Sequence, residues 1–558
     1  MKSHLGPKVA LAILSGLALA LAFPKFDLSL LAWVAFVPLF YAIGDESPAR
    51  IFGYAWLQGL ACYIGSLYWI EITLHDFAGL PVVIAVLPLI LLAAVLAIYT
   101  AVAIWAGEYA ARRLKLPLFA TAPIAWAAVE WVRSFFPIGF PWNLLGESAY
   151  RNLQLIQFAE FTGPYGVSAL IVFFNAVIYC VLFSRYSVRA RIWSLSTLTA
   201  LMLGALIFGT LRIEQLEHAA PQGRLKVAMV QGNIPQSVKW KPENLANSFR
   251  VYADQSELAA KQGADLVVWP EAAAEFFFQP DDNYPLQFAG DAAYRKQLLE
   301  VAQATGDDLL FGAPAIGSRD GRLGSYNRAY LVSGRGQVEA WYDKIQLVPF
   351  GEYVPLRSLL GFFVNRIVEG FGDQLAGNQQ TPFNVKGARI GTLICYESIF
   401  PDLTRRAVKG GADVLANITN DAWYGQSSAP YQLLAMAAMR SVENKVPMIR
   451  DANTGISAII SPTGAILAPT PLFVRGTEIE AVGWRAGGGT VYSAVGDLFA
   501  EICFVLMMGA LLAAWLRPRR MKPLEKFTAD LATRNGIRRR TDGASRPRAG
   551  DDTPEQML

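Results

Sequence analysis

Apolar positions along this chain fall into two regimes. Over roughly the first 212 residues they form long unbroken runs, near 8–23, 27–43, 53–74, 81–105, 118–136, 164–184 and 192–211, and a further run lies at 496–516. A helix needs about 17–25 apolar residues to cross a bilayer, so this pattern predicts about eight transmembrane helices. Between 213 and 495 the runs shorten and begin to alternate. "LKVAMVQG", "DLVVWPE", "DLLFGAP", "NRAYLVS", "QVEAWYDK", "ARIGTLICYE", "DVLANITND", "PMIRDAN" and "GISAIISPTG" read as strands. Amphipathic stretches such as "NLANSFRVYADQSELAAKQG", "AAYRKQLLEVAQATG", "IFPDLTRRAVKGG" and "YQLLAMAAMRSVENK" read as helices, three of them closing on glycine. Strands interleaved with helices, with some strands adjacent, predict a layered α/β sandwich, an αββα arrangement covered by helices.

Composition agrees with a membrane protein: 53% of the 558 residues are hydrophobic and 17% charged, too apolar for one soluble domain. Loops after even-numbered runs carry Arg50, then Arg112, Arg113 and Lys115, then Arg185, Arg189 and Arg191, whereas loops after odd-numbered runs hold little beyond Lys25 and Arg151. The positive-inside rule then puts both termini in the cytoplasm and residues 213–495 on the outer face. The first run, with Lys2 and Lys8 before "VALAILSGLALALAF", also fits a cleaved signal peptide, although further spans follow at once and a retained helix completes an even count. The basic tail 517–558, including "RNGIRRR", is expected to be a disordered segment drawn to anionic headgroups rather than a nucleic-acid binder.

Three reactive side chains end predicted strands: Glu271 in "DLVVWPE", Lys344 in "VEAWYDK" and Cys395 in "ARIGTLIC". Loops at the carboxyl ends of such strands converge on one crevice. A catalytic cysteine needs a base for its proton and a cation or dipole for the charge that forms. Glu271 can be that base if apolar surroundings raise its pKa, Lys344 can stabilise an oxyanion, and helix amides after Cys395 can add donors. Cys62, Cys180 and Cys503 fall in predicted spans, which leaves Cys395 alone in the outer domain. His4, His75 and His218 are scattered, so neither a metal site nor a Cys–His pair is expected, and no cofactor is expected. Apolar side chains at Glu275–Phe278 and in "LRSLLGFFVNRIVEGFG", with Phe362 and Phe363 at its centre, suggest either contact with lipid or buried packing of a lid. Glu130 and Arg133 are three apart on one helix and suit an ion pair near the outer interface, beside "GFPWNLLG" as a floor for the substrate entrance.

Taken with "VQGNIPQSVKW", "LVPFGEYVP", "NDAWYG" and the eight-span arrangement, the order "WPEAA", "YDKIQLVPFGEYVP", "ICYESIF" resembles the Glu-Lys-Cys triad of the nitrilase superfamily. More narrowly it resembles the membrane-embedded branch, the apolipoprotein N-acyltransferases. The resemblance implies an enzyme of the bacterial inner membrane with its nitrilase-like domain in the periplasm. It implies ping-pong transfer of an acyl chain from a phospholipid, typically phosphatidylethanolamine, through a thioester, to the α-amino group of a lipoprotein's N-terminal diacylglyceryl-cysteine. It further implies Glu271 as base, Lys344 as oxyanion stabiliser and Cys395 as nucleophile, with Glu352, Tyr396, Glu397, Trp240 and Asn327 as supporting or pocket residues. The expected division is residues 1–212 as seven membrane helices, 213–495 as the catalytic domain, 496–516 as the eighth helix and 517–558 as the tail. Two competing readings are a membrane-tethered amidase acting on small amides, in which water resolves the thioester, and a non-catalytic membrane scaffold.

Overall fold

The computed structural model describes residues 5–183, 186–278, 291–353 and 374–518. Each apolar run carries helix: Leu5–Ala22, the 3₁₀ turn Ser29–Trp33 with Phe36–Ile43, Pro48–Ser66, Val82–Leu114, Leu118–Arg133, Pro164–Leu182, Val188–His218 and Leu498–Leu516. Four of these are long and apolar enough to cross a membrane: Val82–Leu114, Pro164–Leu182, Val188–His218 and Leu498–Leu516. Helix Val188–His218 passes the expected boundary at 212. Its last turns, "RIEQLEH", are polar and so end the hydropathy run, yet they consist largely of good helix formers. Arg212 pins that end to Glu160 at 2.8 Å.

Twelve strands form two six-stranded sheets. In chain order they are β1 Gly223–Gln231, β2 Leu266–Val268, β3 Asp308–Arg319, β4 Arg322–Val332, β5 Val338–Asp343, β6 Phe383–Val385, β7 Ala388–Ile394, β8 Val414–Thr419, β9 Met448–Ala452, β10 Ala458–Ile460, β11 Ile466–Leu467 and β12 Gly476–Trp484. One sheet runs β12-β1-β2-β3-β4-β5 and the other β11-β10-β9-β8-β7-β6. β12 pairs antiparallel with β1 along its whole length and closes one edge of the first sheet.

The two-residue period of the strands explains how the layers stack. Val227, Met229, Val268 and Leu310 of the first sheet meet Ile390, Ile394, Ala416 and Ile418 of the second in a dry core between them. Their neighbours Val230, Val267 and Phe311 point the other way, against Phe249 and Tyr252 of helix Pro242–Lys261 and Leu298 of helix Asp291–Thr305. On the far side of the second sheet, Leu393, Leu415 and Met448 pack against Leu403 of helix Pro401–Lys409 and Met439 of helix Ala429–Asn444. That last cluster does not stop at the helices: it runs on without a break into Phe36, Leu39, Ile156 and Val167 of the apolar helix bundle.

The stretch Glu275–Phe278, one of the two expected lipid-contact segments, belongs to the interior. Phe276 and Phe278 are buried, and Phe278 meets Phe311 at 5.1 Å and Tyr330 at 4.8 Å between ring centroids. Lipid contact and buried packing were both open for this stretch because the helix and strands that cover it are distant in sequence. The other segment, with Phe362 and Phe363, and the tail 519–558 lie outside the described residues.

Candidate active site

Each sheet contributes the end of a strand to one crevice. Beyond β2 the chain runs through Trp269 and Pro270 to Glu271, and then Ala272 turns it with φ +51°. The turn lies so close to β3 that a Cβ on Gly312 would stand 2.4 Å from the Ala272 nitrogen and 2.8 Å from Glu271 Cα, which explains a glycine at that strand position. Lys344 follows β5 directly, its amide held by the Asn327 carbonyl at 2.9 Å. Cys395 follows β7 with φ +52°, a left-handed conformation uncommon for a side-chain-bearing residue, and opens the single 3₁₀ turn Cys395–Ile399. The expected helix amides therefore reduce to one tight turn.

The structure brings Glu271, Lys344 and Cys395 together in a nearly dry site, at 6%, 1% and 6% exposure. Lys344 Nζ lies 3.3 Å from Glu271 Oε1 and 2.8 Å from Glu352 Oε1. Asn327 Nδ2 donates to both carboxylates, at 2.7 Å and 3.2 Å. The Asn420 amide donates to Glu271 Oε2 at 2.9 Å, and the Cys395 thiol lies close enough for the charge of that carboxylate to act on it. Glu352 is itself anchored by the Val348 amide at 2.8 Å.

These contacts reverse one expectation. Burial alone raises the Glu271 carboxyl, but Lys344, Asn327, the Asn420 amide and Cys395 together hold it below the ordinary glutamate value. Burial, and then the Glu271 charge, push the Cys395 thiol up against the pull of Lys344. Although burial disfavours its charge, Lys344 is held well above the ordinary lysine value by Glu352 and Glu271. The resting site is thus a neutral thiol beside an ionised carboxylate and an ammonium.

Glu397 performs a different task from the triad. Fully buried, its Oε1 accepts from the Ile345 amide at 2.7 Å, the Gln346 amide at 3.0 Å and Tyr342 Oη at 2.8 Å; its Oε2 accepts from the Ile394 amide at 2.7 Å. One carboxylate thereby ties the residues after Lys344 to the residue before Cys395. Burial pushes its carboxyl up to about 7 in spite of those donors.

Tyr396 points towards the helix bundle. Its ring lies against Trp142 of "GFPWNLLG" at 6.4 Å between centroids and edge-on to Phe400 at 5.1 Å. Trp142 also packs on Trp69 at 4.6 Å, and its indole donates to Gln432 Oε1 at 2.7 Å, so this segment packs against the residue after Cys395. Glu130 and Arg133 approach each other to only 3.9 Å; their shorter bonds hold that segment, from the Leu145 amide to Glu130 Oε1 at 2.7 Å and from Arg133 Nη1 to the Trp142 carbonyl at 3.1 Å. The backbone of Trp240, at φ +69°, donates its amide to Glu275 Oε2 at 2.8 Å.

Sequence reasoning did not single out Asn420, whose amide grips Glu271, or the buried Lys239, whose Nζ reaches the Glu271 carbonyl at 3.4 Å. It also passed over Arg450, fully buried and bound to Asp421 Oδ2 at 2.7 Å and to Oδ1 of Asn417 at 2.6 Å, whose side-chain amide in turn donates to the Cys395 carbonyl. The available signal was a run of polar residues, "NITND", closing an otherwise apolar strand. No cluster of three metal-binding side chains occurs among the described residues.

Comparison with known proteins adds to this geometry. Residues 15–177 match the apolipoprotein N-acyltransferase N-terminal domain, and residues 226–483, which contain Glu271, Lys344 and Cys395, match carbon-nitrogen hydrolase. An apolipoprotein N-acyltransferase of Geobacter metallireducens is 41% identical over 515 residues, covering 91% of this chain and 95% of that protein. The chain belongs to the apolipoprotein N-acyltransferase family. Family members of Nitrosomonas europaea and Chromobacterium violaceum are each 33% identical, over 82% and 92% of this chain and 87% and 96% of their own lengths. The chain is accordingly an acyltransferase enzyme of lipoprotein maturation with a nitrilase-like catalytic domain, and the reading as a non-catalytic scaffold is set aside.

Proposed function

We propose that this acyltransferase takes a fatty acyl chain from a phospholipid, with phosphatidylethanolamine as the expected donor, and passes it through a Cys395 thioester to the α-amino group of a lipoprotein's N-terminal diacylglyceryl-cysteine. The observation that carries the reading is the meeting of a neutral thiol, an ionised Glu271 and Lys344 in one dry crevice, with the apolar helix bundle packed against Tyr396.

In the first half-reaction the Cys395 sulfur adds to the ester carbonyl while its proton passes to Glu271. Negative charge gathers on the carbonyl oxygen. An ammonium has three N–H groups, and Lys344 uses two on Glu271 and Glu352, which leaves one for that oxygen. The bond to the glycerol oxygen then breaks, Glu271 returns the proton to it, and a lysophospholipid leaves. In the second half-reaction the acceptor's free amine adds to the thioester and gives its proton to Glu271. The sulfur departs and recovers that proton, and the amide is complete. Glu352 and Asn327 hold Lys344 and Glu271 at their spacing, Glu397 fixes the backbone around both strand ends, and Tyr396 and Trp240 border the pocket.

The proposed organisation keeps all eight helices as membrane spans, with 1–212 and 496–516 in the inner membrane, 213–495 in the periplasm and 517–558 in the cytoplasm. The charge asymmetry of the loops supports it. Intact mass spectrometry of protein purified from membranes tests the reading. An acyl mass on Cys395, lost in Cys395→Ala and discharged by a diacylglyceryl peptide, is expected; no adduct after incubation with phosphatidylethanolamine would refute it.

A further inference from the structure

The nucleophile turn Cys395–Ile399 meets the helix bundle near its start and, at its end, a side chain that is itself tied to the bundle. Near its start, the Tyr396 ring lies on Trp142. At its end, the Ile399 carbonyl accepts from Arg440 Nη1 at 2.9 Å. Arg440 is fully buried on helix Ala429–Asn444, and its Nη2 donates to Glu443 Oε1 at 2.7 Å and to Glu147 Oε1 at 3.1 Å. Glu147 belongs to the bundle side. Its second oxygen accepts from the Leu144 amide at 2.7 Å, while the next two amides are held by Glu130 at 2.7 Å and by Ser168 Oγ at 2.8 Å. Those two side chains sit on helices Leu118–Arg133 and Pro164–Leu182. Gln432, eight residues before Arg440 and so near the same helix face, receives the Trp142 indole and donates to the Pro24 and Ser66 carbonyls at 3.0 Å and 2.9 Å.

A continuous hydrogen-bonded path therefore leads from two apolar helices through Glu147 and Arg440 to the turn that begins at Cys395. That turn needs holding, because its first residue occupies the left-handed region, which persists only where surrounding structure over-determines it. The guanidinium serves the carbonyl and the two carboxylates from two nitrogens of one rigid plane, whereas a lysine would have to reach all three from a single nitrogen on a flexible stem.

We infer that Arg440 is a positioning residue that fixes the nucleophile turn against the membrane bundle, so that the reactivity of Cys395 depends on the bundle's packing. The inference rests on Cys395 being the nucleophile. It takes no part in bond-making itself: Arg440 acts through the Ile399 carbonyl.

The test uses the full-length enzyme in detergent, comparing wild type with Arg440→Lys and Arg440→Met. Alkylation of Cys395 by iodoacetamide, read by peptide mass spectrometry across pH, reports the poise of the thiol without any lipid, and kcat and KM for acyl transfer are measured beside it. Arg440→Lys keeps a charge for the two buried glutamates but not the fork. It is expected to slow alkylation and kcat together by about tenfold or more, with KM unchanged, and Arg440→Met to slow them further. Wild-type alkylation in either folded variant would overturn the inference, as would a change confined to KM, which would place Arg440 in substrate binding. Failure of both variants to fold would overturn it too, by making Arg440 a residue of folding alone. Absence of an acyl adduct on wild-type Cys395 would instead bring down the parent reading.

Discussion

Replacing Lys344 by Met is the sharpest perturbation of the site. It removes a cation at 1% exposure that lies 3.3 Å and 2.8 Å from two carboxylates, and it keeps most of the side-chain volume. Losing one donor to a developing oxyanion costs about 10²–10³ in rate, or ~3–4 kcal/mol. A second effect follows from the neighbours. Lys344 is the largest of the influences that oppose burial at Glu271, so without it that carboxyl rises. Glu271 and Glu352 are then left sharing Asn327 Nδ2 with no cation between them. In wild type the depressed Glu271 pKa contributes stability that is present above the ordinary glutamate value and lost as pH falls through the lowered one. The variant reverses that sign: protonating either carboxylate relieves repulsion, so it should be more stable in mild acid than at neutral pH. Single-turnover formation of the acyl-enzyme, quenched and read by intact mass, gives the rate, and thermal unfolding at two pH values gives the sign. A folded Lys344→Met within about fivefold of the wild-type rate, or one still losing stability as pH falls, would refute the reasoning.

Three further outcomes are expected. The Glu271 charge helps hold the Cys395 thiol up while Lys344 draws it down, so the alkylation profile of Cys395 should move to lower pH in Glu271→Gln and to higher pH in Lys344→Met, although both variants transfer acyl groups slowly; shifts in the same direction would contradict the electrostatics. Glu397→Gln turns an NH₂ group towards backbone donors and leaves at least one buried N–H unpaired, at a cost of about 1–3 kcal/mol. A lowered thermal midpoint and a reduced kcat should both be seen, since the residues beside Lys344 and Cys395 lose one shared anchor. For topology, a single cysteine introduced at Ser545 in an otherwise cysteine-free version should resist an impermeant thiol reagent in intact cells, while one placed in the catalytic domain should label; labelling at 545 would invert the proposed orientation.

The sequence carried most of the architecture because its signals were local. Strand ends at Glu271, Lys344 and Cys395 could be read from short apolar runs that stop at a polar residue, and the structure does bring those three together. Long-range pairing was not legible in the same way. "GTEIEAVGW" alternates as a strand should, but its partner β1 lies some 250 residues earlier, and nothing in the stretch itself announces that partner. Phe276 and Phe278 were ambiguous for a related reason, since a loop residue is covered or bare according to what folds over it. The sign of the Glu271 shift failed hardest. Burial could be anticipated from "DLVVWPE", yet the direction is decided by Asn327, Asn420 and Lys344, which approach from three other strands.

The apolar cluster that runs from β7, β8 and β9 through helices Pro401–Lys409 and Ala429–Asn444 into the bundle has a consequence for how this enzyme can be handled and how it can work. Among the described residues this cluster offers no seam to cut. A soluble fragment spanning the two sheets would bare Leu434, Ala437 and Ala438 to water together with the fully buried Arg440 and its carboxylates, and would be expected to aggregate rather than crystallise. On the proposed orientation, donor and acceptor would come in turn to a reaction centre fixed to the bundle, rather than be met by a swinging catalytic head.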